Sequence, residues 1–330
     1  GAQAGHGTNG DGGHIFHQDR CVAASGDHNV ANVFQAADQA HAANQVLLGA
    51  LGQDATADQI ALLRKDLGLD QPFVVQFWRF LINAAQGEFG ISLRQGAKVS
   101  QLIADRFPAT LELAVLAAGM ALLLGIPMGV YAALKRGTFG SQLLMTLSLL
   151  GVSLPTFLIG ILLILFFSIH LDWLPFVYRA DISETGFSFY WEHFKQMVMP
   201  VTVLGLFQAG AWTRYVRSAV LDVIRLDYVT TARSKGLAEK VVITKHVLRN
   251  ALIPVVTLVA LQMPAIFGGA IVTEQIFRIP GIGSLIISSM LANDTPVVMA
   301  VTFVFSTLVI ACNLLADILY GWLDPRISFN

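Results

Sequence analysis

Apolar positions in this chain gather into five long runs, at residues 113–134, 143–169, 196–213, 250–273 and 295–316. None of the five contains a charged side chain, and they span 22, 27, 18, 24 and 22 residues. A helix needs about 20 apolar residues to cross the hydrocarbon core, so four runs suffice and the third is marginal. In lipid the backbone must satisfy its own hydrogen bonds, which makes helices the expected form. The alternating pattern of a transmembrane barrel is absent. The pattern predicts an all-α polytopic membrane protein with five clear transmembrane helices. Ahead of them, Ile60, Leu63 and Leu67 fall on one side of a short amphipathic helix at 56–66. A second short helix, aromatic along one flank, is predicted at 72–84. Residues 46–110 thus read as a periplasmic segment with short helices, and 111–330 as the transmembrane domain.

Charge sets the orientation. Segment 214–249 holds eight of the 21 Lys and Arg residues, from Arg214 to Arg249. Lys135 and Arg136 separate the first two runs. The connection 171–195 holds only Arg179 and Lys195 against four acids, and 274–294 holds Arg278 alone. Basic connections stay in the cytoplasm. Residues 135–142 and 214–249 are therefore expected inside, 171–195 and 274–294 outside, and the C-terminus inside.

Composition agrees with this reading: charged residues are 13% of 330 and mean hydropathy is +0.62, against about 25% charge in soluble domains. Two cysteines, Cys21 and Cys312, are too few for a disulfide framework or a thiolate metal site. Residues 1–45 contain no Leu and hold five of the eight histidines. No regular His pair falls on a predicted helix there, so no metal site is expected. That composition predicts an atypical, disordered or non-native leader. Five spans with an inside C-terminus would leave residue 1 outside, and a sixth span before residue 47 would restore the parity.

Several motifs occur in order. They are Leu67-Gly68-Leu69-Asp70-Gln71-Pro72, Gly87-Glu88-Phe89-Gly90-Ile91-Ser92, and Arg106-Phe107-Pro108-Ala109-Thr110-Leu111-Glu112-Leu113. Thr231-Ala232-Arg233-Ser234-Lys235-Gly236-Leu237 follows, with Leu248-Arg249-Asn250-Ala251-Leu252-Ile253-Pro254 behind it. Glu274 to Gly283 and the ending Leu319 to Arg326 complete the set. From Val46 onward the chain resembles the inner-membrane permease subunits of ABC importers for dipeptides, oligopeptides, nickel and glutathione. The resemblance implies a type I importer permease fold with six spans. Family members begin with a basic, apolar first span, and residues 1–45 depart from that. It also implies partners: a second permease, two cytoplasmic ATPases that use ATP and Mg, and a periplasmic binding protein, all at a lipid bilayer. Phe277–Leu291 resembles the family's external re-entrant segment.

The resemblance makes 227–237 the ATPase-coupling element, with Asp227, Tyr228, Thr231, Ala232, Lys235, Gly236 and Leu237 as its site residues. Asp227 is a candidate N-cap, and Gly236 fits a left-handed helix stop. A helix of about nine residues is too short to stand alone in water. Tyr228, Val229 and Ala232 are its expected inserted face, with Arg233 and Lys235 at the rim. No Walker sequence Gly-x-x-x-x-Gly-Lys-Ser/Thr occurs, so the chain binds no nucleotide of its own, and no cofactor, metal or nucleic acid is expected. Inside the runs, Gln208, Trp212, Gln262 and Thr273 are path candidates, because polar groups in spans face a cavity or a neighbouring helix. Pro127, Pro155 and Pro264 are candidate hinges. Peptide-like solutes come first as cargo, with nickel or glutathione as alternatives. The rival class, an ion-coupled secondary transporter, calls for a carboxylate or His in a span core. The five runs offer none.

Overall fold

The computed structural model describes residues 70–179 and 186–323, with isolated positions at 56, 58, 62 and 65. Residues 1–45, and most of the helix expected at 56–66, lie outside the described residues. The unit from Arg64 onward is helical, and among the described residues its one β feature is an isolated bridge between Ile91 and Lys98. In chain order the helices are α1 Phe73–Ala85, α2 Val99–Leu134, α3 Phe139–Ser153 and α4 Thr156–His170. Then come α5 Phe187–Val223, α6 Asp227–Ser234, α7 Glu239–Phe277, α8 Ile282–Leu291 and α9 Thr295–Leu323.

Two expectations about spans change. Among the described residues, three helices are long and apolar enough to cross a membrane: 99–134, 239–277 and 295–318. The run 143–169 is not one straight span. It is α3 and α4, bent by 102° at a break where Leu154 and Pro155 leave the helical region. Proline lacks the donor that would continue the ladder and pushes its predecessor to extended backbone. The run 196–213 sits in α5, which is long enough but interrupted by Gln196, Thr202, Gln208 and Thr213. Gln196, Gln208 and Thr213 are buried, so the polar groups that lower the hydropathy of α5 are turned toward the protein, while Leu206 and Tyr215 stay exposed. Pro127 and Pro264 do not break their helices; α2 and α7 run through them.

Register follows from close contacts. A Cβ on Gly129 would lie 2.6 Å from Val216 Cβ and 2.7 Å from Thr213 O. Gly125 faces Trp212 and Ala209, and Gly205 faces Met120. At the other end Glu112 meets His193 Nε2 at 2.6 Å. The offset stays near 85 residues throughout, so α2 and α5 run parallel. Small residues allow backbones to approach this closely, which is the usual basis of helix packing in lipid. By the same test α3 runs against α5, since a Cβ on Gly210 would meet Ser148 O at 2.7 Å and Gly151 faces Leu206 O. α7 also opposes α5, since Gly269 faces Leu204 and Gln262 pairs with Trp212. The two basic connections, after α2 and after α5, therefore lie at one end of the molecule. The core between these helices is built around Leu113, Met199, Leu204, Trp212, Val216 and Ile266.

Candidate functional site

At the basic end, α6 begins after Leu226, whose backbone is extended, and no side chain caps it. Asp227 is thus the first helical residue and not the cap. Its carboxylate still sits where the helix dipole favours negative charge. Thr231 donates its hydroxyl to Asp227 O at 2.9 Å. At the C-terminal end the amides of Lys235 and Gly236 return to Thr231 O and Arg233 O. Gly236 has φ +76, the left-handed stop expected of it. No atom lies within 4 Å of the position a Cβ would take there. Conformation, and not space within this chain, is what requires glycine.

The expected inserted face is reversed. Val229 and Ala232 are 0% and 6% exposed and belong to the chain's own core with Val216, Val220, Val242 and Val247. They anchor α6 to the start of α7, which packs in turn on α5. Tyr228 lies partly over this joint: its hydroxyl donates to His246 O at 3.3 Å and accepts from Asn250 Nδ2 at 3.0 Å. Arg233 is not a free rim charge. It forms a two-pronged pair with Glu239, at 3.1 Å from Nε and 2.8 Å from Nη2, which holds its pKa above the ordinary arginine value. Outward stand Asp227, Thr231 and Lys235, flanked by exposed Leu226, Leu237 and Val241. Leu226 and Val241 join this outward face although the sequence does not single them out. Their signal is an apolar side chain on the wet side of a buried anchor.

In the middle of the molecule a cleft of about 350 Å³ opens at the α3–α4 bend. Ser153, Pro155 and Thr156 line it from the bend, Phe207 and Gln208 from α5, and Gly269 from α7. Of the four path candidates only Gln208 lines this cleft. Trp212 is fully buried, and its Nε1 donates to Gln262 Oε1 at 2.9 Å; that pair ties α5 to α7. Thr273 is buried, and its hydroxyl returns to Gly269 O on its own helix. Ser153 and Thr156 carry no signal of their own in a run whose composition predicts a straight span.

A third group lies at the opposite end from α6. Glu274 is fully buried in the last turns of α7, where the sequence suggested the start of an outer connection. Thr110 Oγ1 donates to its Oε1 at 2.6 Å, and the Ser284 amide donates to its Oε2 at 2.9 Å. Thr110 Oγ1 in turn accepts the Ile282 amide at 2.8 Å. One carboxylate therefore joins α2, α7 and the first turn of α8. α8 stands where the re-entrant segment was expected, and its Ile282, Leu285 and Ile286 pack with Val297 and Val301 of α9. A span-end carboxylate is present after all, but every contact it makes is structural.

This arrangement is that of a membrane permease: a bundle with a cleft at a broken helix, a carboxylate-braced outer segment and a short helix mounted on the basic end. Comparison with known proteins gives the family. Residues 125–329 match the binding-protein-dependent transport system inner membrane component, and residues 32–114 match the N-terminal model of such membrane components. The chain is 42% identical over 279 residues to the glutathione transport system permease protein GsiC of Salmonella paratyphi A, covering 84% of this chain and 87% of the relative. Against GsiC of Escherichia coli K12 identity is 41% with the same coverage. Among solved structures it is similar to the inward-facing MetNI methionine ABC transporter, with TM-score 0.55 and 15% identity, over 68% of this chain and 97% of that one. A crystal structure of an amino acid ABC transporter gives TM-score 0.52 and 12% identity, over 67% and 94%. Those two likenesses concern the fold. The chain belongs to the binding-protein-dependent transport system inner-membrane component family. It is a multi-pass inner-membrane permease subunit of an ABC importer, a transporter component and not an enzyme.

Proposed function

We propose that this subunit forms one half of a path for small peptide-like solutes, and that cytoplasmic ATPases drive it by docking on 227–237. The observation that carries the reading is the mounting of α6. Its inner face is locked into the core by Val229 and Ala232, while Asp227, Thr231, Lys235 and Leu237 point away from the chain. A helix built this way passes force applied from outside directly to α7 and through it to α5. ATP binding by the ATPases would then shift a two-state equilibrium of the bundle through differential contacts at this helix.

The basic end is the cytoplasmic end in this reading, which also puts the C-terminus inside. A homologous second permease completes the path, and a periplasmic binding protein delivers solute at the α8 end. Glutathione, itself a tripeptide and the cargo named for the relatives, is the first solute to test. The experiment is uptake into vesicles holding the assembled transporter, with glutathione and dipeptides offered separately. ATP-dependent accumulation of either supports the reading. Accumulation driven by an ion gradient without ATPases would overturn it.

A further inference from the structure

The α3–α5 seam carries a second opening, toward the basic end. A cleft of about 600 Å³ lies there between the α2–α3 connection, the start of α3 and the end of α5. Arg136, Gln142, Thr146 and Arg217 give it its chemistry. Among the described residues, neither arginine has an ion-pair partner. The Arg217 Nε is buried and makes no hydrogen bond. The one other buried side-chain oxygen or nitrogen without a partner among the described residues is Ser148 Oγ, which lies on the same seam between the two clefts. A guanidinium stays charged at every accessible pH, and an unpaired buried donor is costly. An anion entering this cleft would meet two guanidiniums without ion-pair partners and give the Arg217 Nε an acceptor.

We propose that Arg136 and Arg217 form an oxyanion station that takes the carboxylate of the transported solute as it leaves the mid-seam cleft. The proposal rests on the reading of this chain as half of the path. Two observations favour solute over lipid. The station lies about ten α3 residues, about 15 Å, from the cleft at the bend, along one seam. Its lining is polar and its volume is that of a small-molecule pocket, whereas a lipid would need an apolar channel for its chains. Arginine presents a planar fork suited to two-pronged carboxylate binding, with the Gln142 amide and Thr146 hydroxyl as neutral partners.

The test uses the assembled transporter in nanodiscs of neutral phosphatidylcholine. Phenylglyoxal modification of Arg136 and Arg217 is followed by mass spectrometry, with glutathione or its diethyl ester as the probe. Glutathione should slow modification of both arginines, and the ester, which lacks both carboxylates, should not. In Arg217→Gln the glutathione concentration that protects Arg136 should rise about tenfold, the loss of one charge-assisted contact, and Arg217→Lys should restore part of it. Equal protection by ester and acid would overturn the proposal. So would protection that appears only when phosphatidylglycerol is added and ignores glutathione, which would make this a lipid site. ATP-driven uptake by the same assembled transporter in vesicles of the same neutral lipid, with glutathione and dipeptides offered separately, separates the two levels. Uptake of a solute that gives no protection removes the station alone, and absence of ATP-driven uptake of both solutes removes the path reading and the station with it.

Discussion

Replacing Gly281 with alanine isolates the Glu274 brace, because the structure gives the clash and its cure together. A Cβ on Gly281 would sit 2.2 Å from Glu274 Cδ and 2.3–2.4 Å from its two oxygens. The Gly281 backbone is extended, with φ −99, so alanine meets no conformational penalty there. The whole cost is the collision with the carboxylate. Relieving it means displacing a fully buried side chain that accepts from Thr110 and Ser284. Leaving such donors unpaired costs about 1–3 kcal/mol each, so Gly281→Ala should destabilise by about 2–5 kcal/mol. Glu274→Ala alone should cost a similar amount by orphaning the same donors, and Glu274→Gln less, since it keeps one carbonyl acceptor. The double variant Glu274→Ala/Gly281→Ala removes the collision and should be no worse than Glu274→Ala alone. Contacting residues that share a partner couple in this way. The assay is thermal unfolding of the purified chain in nanodiscs, with all four species compared. Strict additivity of the two alanine substitutions, or a neutral Gly281→Ala, would refute the reasoning.

Other expectations follow from the basic end. Gly236→Val forces a branched residue into φ +76, a strain of about 1–3 kcal/mol; in vesicles with all partners, ATP hydrolysis should persist while solute uptake falls. Ala232→Arg acts differently from a docking-face variant, because Ala232 faces the chain's own core. A buried unpaired charge should reduce the yield of folded protein in size-exclusion profiles before any coupling defect is measurable. On a Cys21→Ser/Cys312→Ser background, a cysteine replacing Ser183 should react with an impermeant thiol reagent in intact cells and one replacing Ser234 should not; equal labelling would refute the orientation. Trp212→Phe removes the donor to Gln262 and leaves a half-buried amide oxygen short of a partner, at a cost of about 1 kcal/mol readable in the same unfolding assay.

Much of this molecule is legible along the chain because membrane helices write themselves in composition. Four of the five runs became helices long or paired enough to cross, and both basic connections came together at one end as their charge required. What failed has a common cause: sequence counts polarity, whereas structure decides which way a polar or small group faces. Ala232 and Val229 lie on a helix beside a basic loop, and nothing in their spacing distinguishes a face turned to a partner from a face turned to the chain's own core. Trp212 and Gln262 carry polar groups in spans, as a path would, but fifty residues of chain separate two groups that satisfy each other. Glu274 shows the converse. Its charge ended a run and made it look like the start of an aqueous connection, yet the helix continues to Phe277 and the carboxylate is consumed by Thr110 and the first turn of α8. The glycines at 281 and 283 could have revealed this. Both stand where a side chain would strike Glu274, so the Glu274 to Gly283 motif is one packing unit whose spacing encodes a carboxylate closing over the start of a helix. Arg217 escaped for a related reason: among eight basic residues in 214–249 it looks like one more orienting charge. Only the fold places its Nε inside, without a partner, on the seam that leads to the cleft.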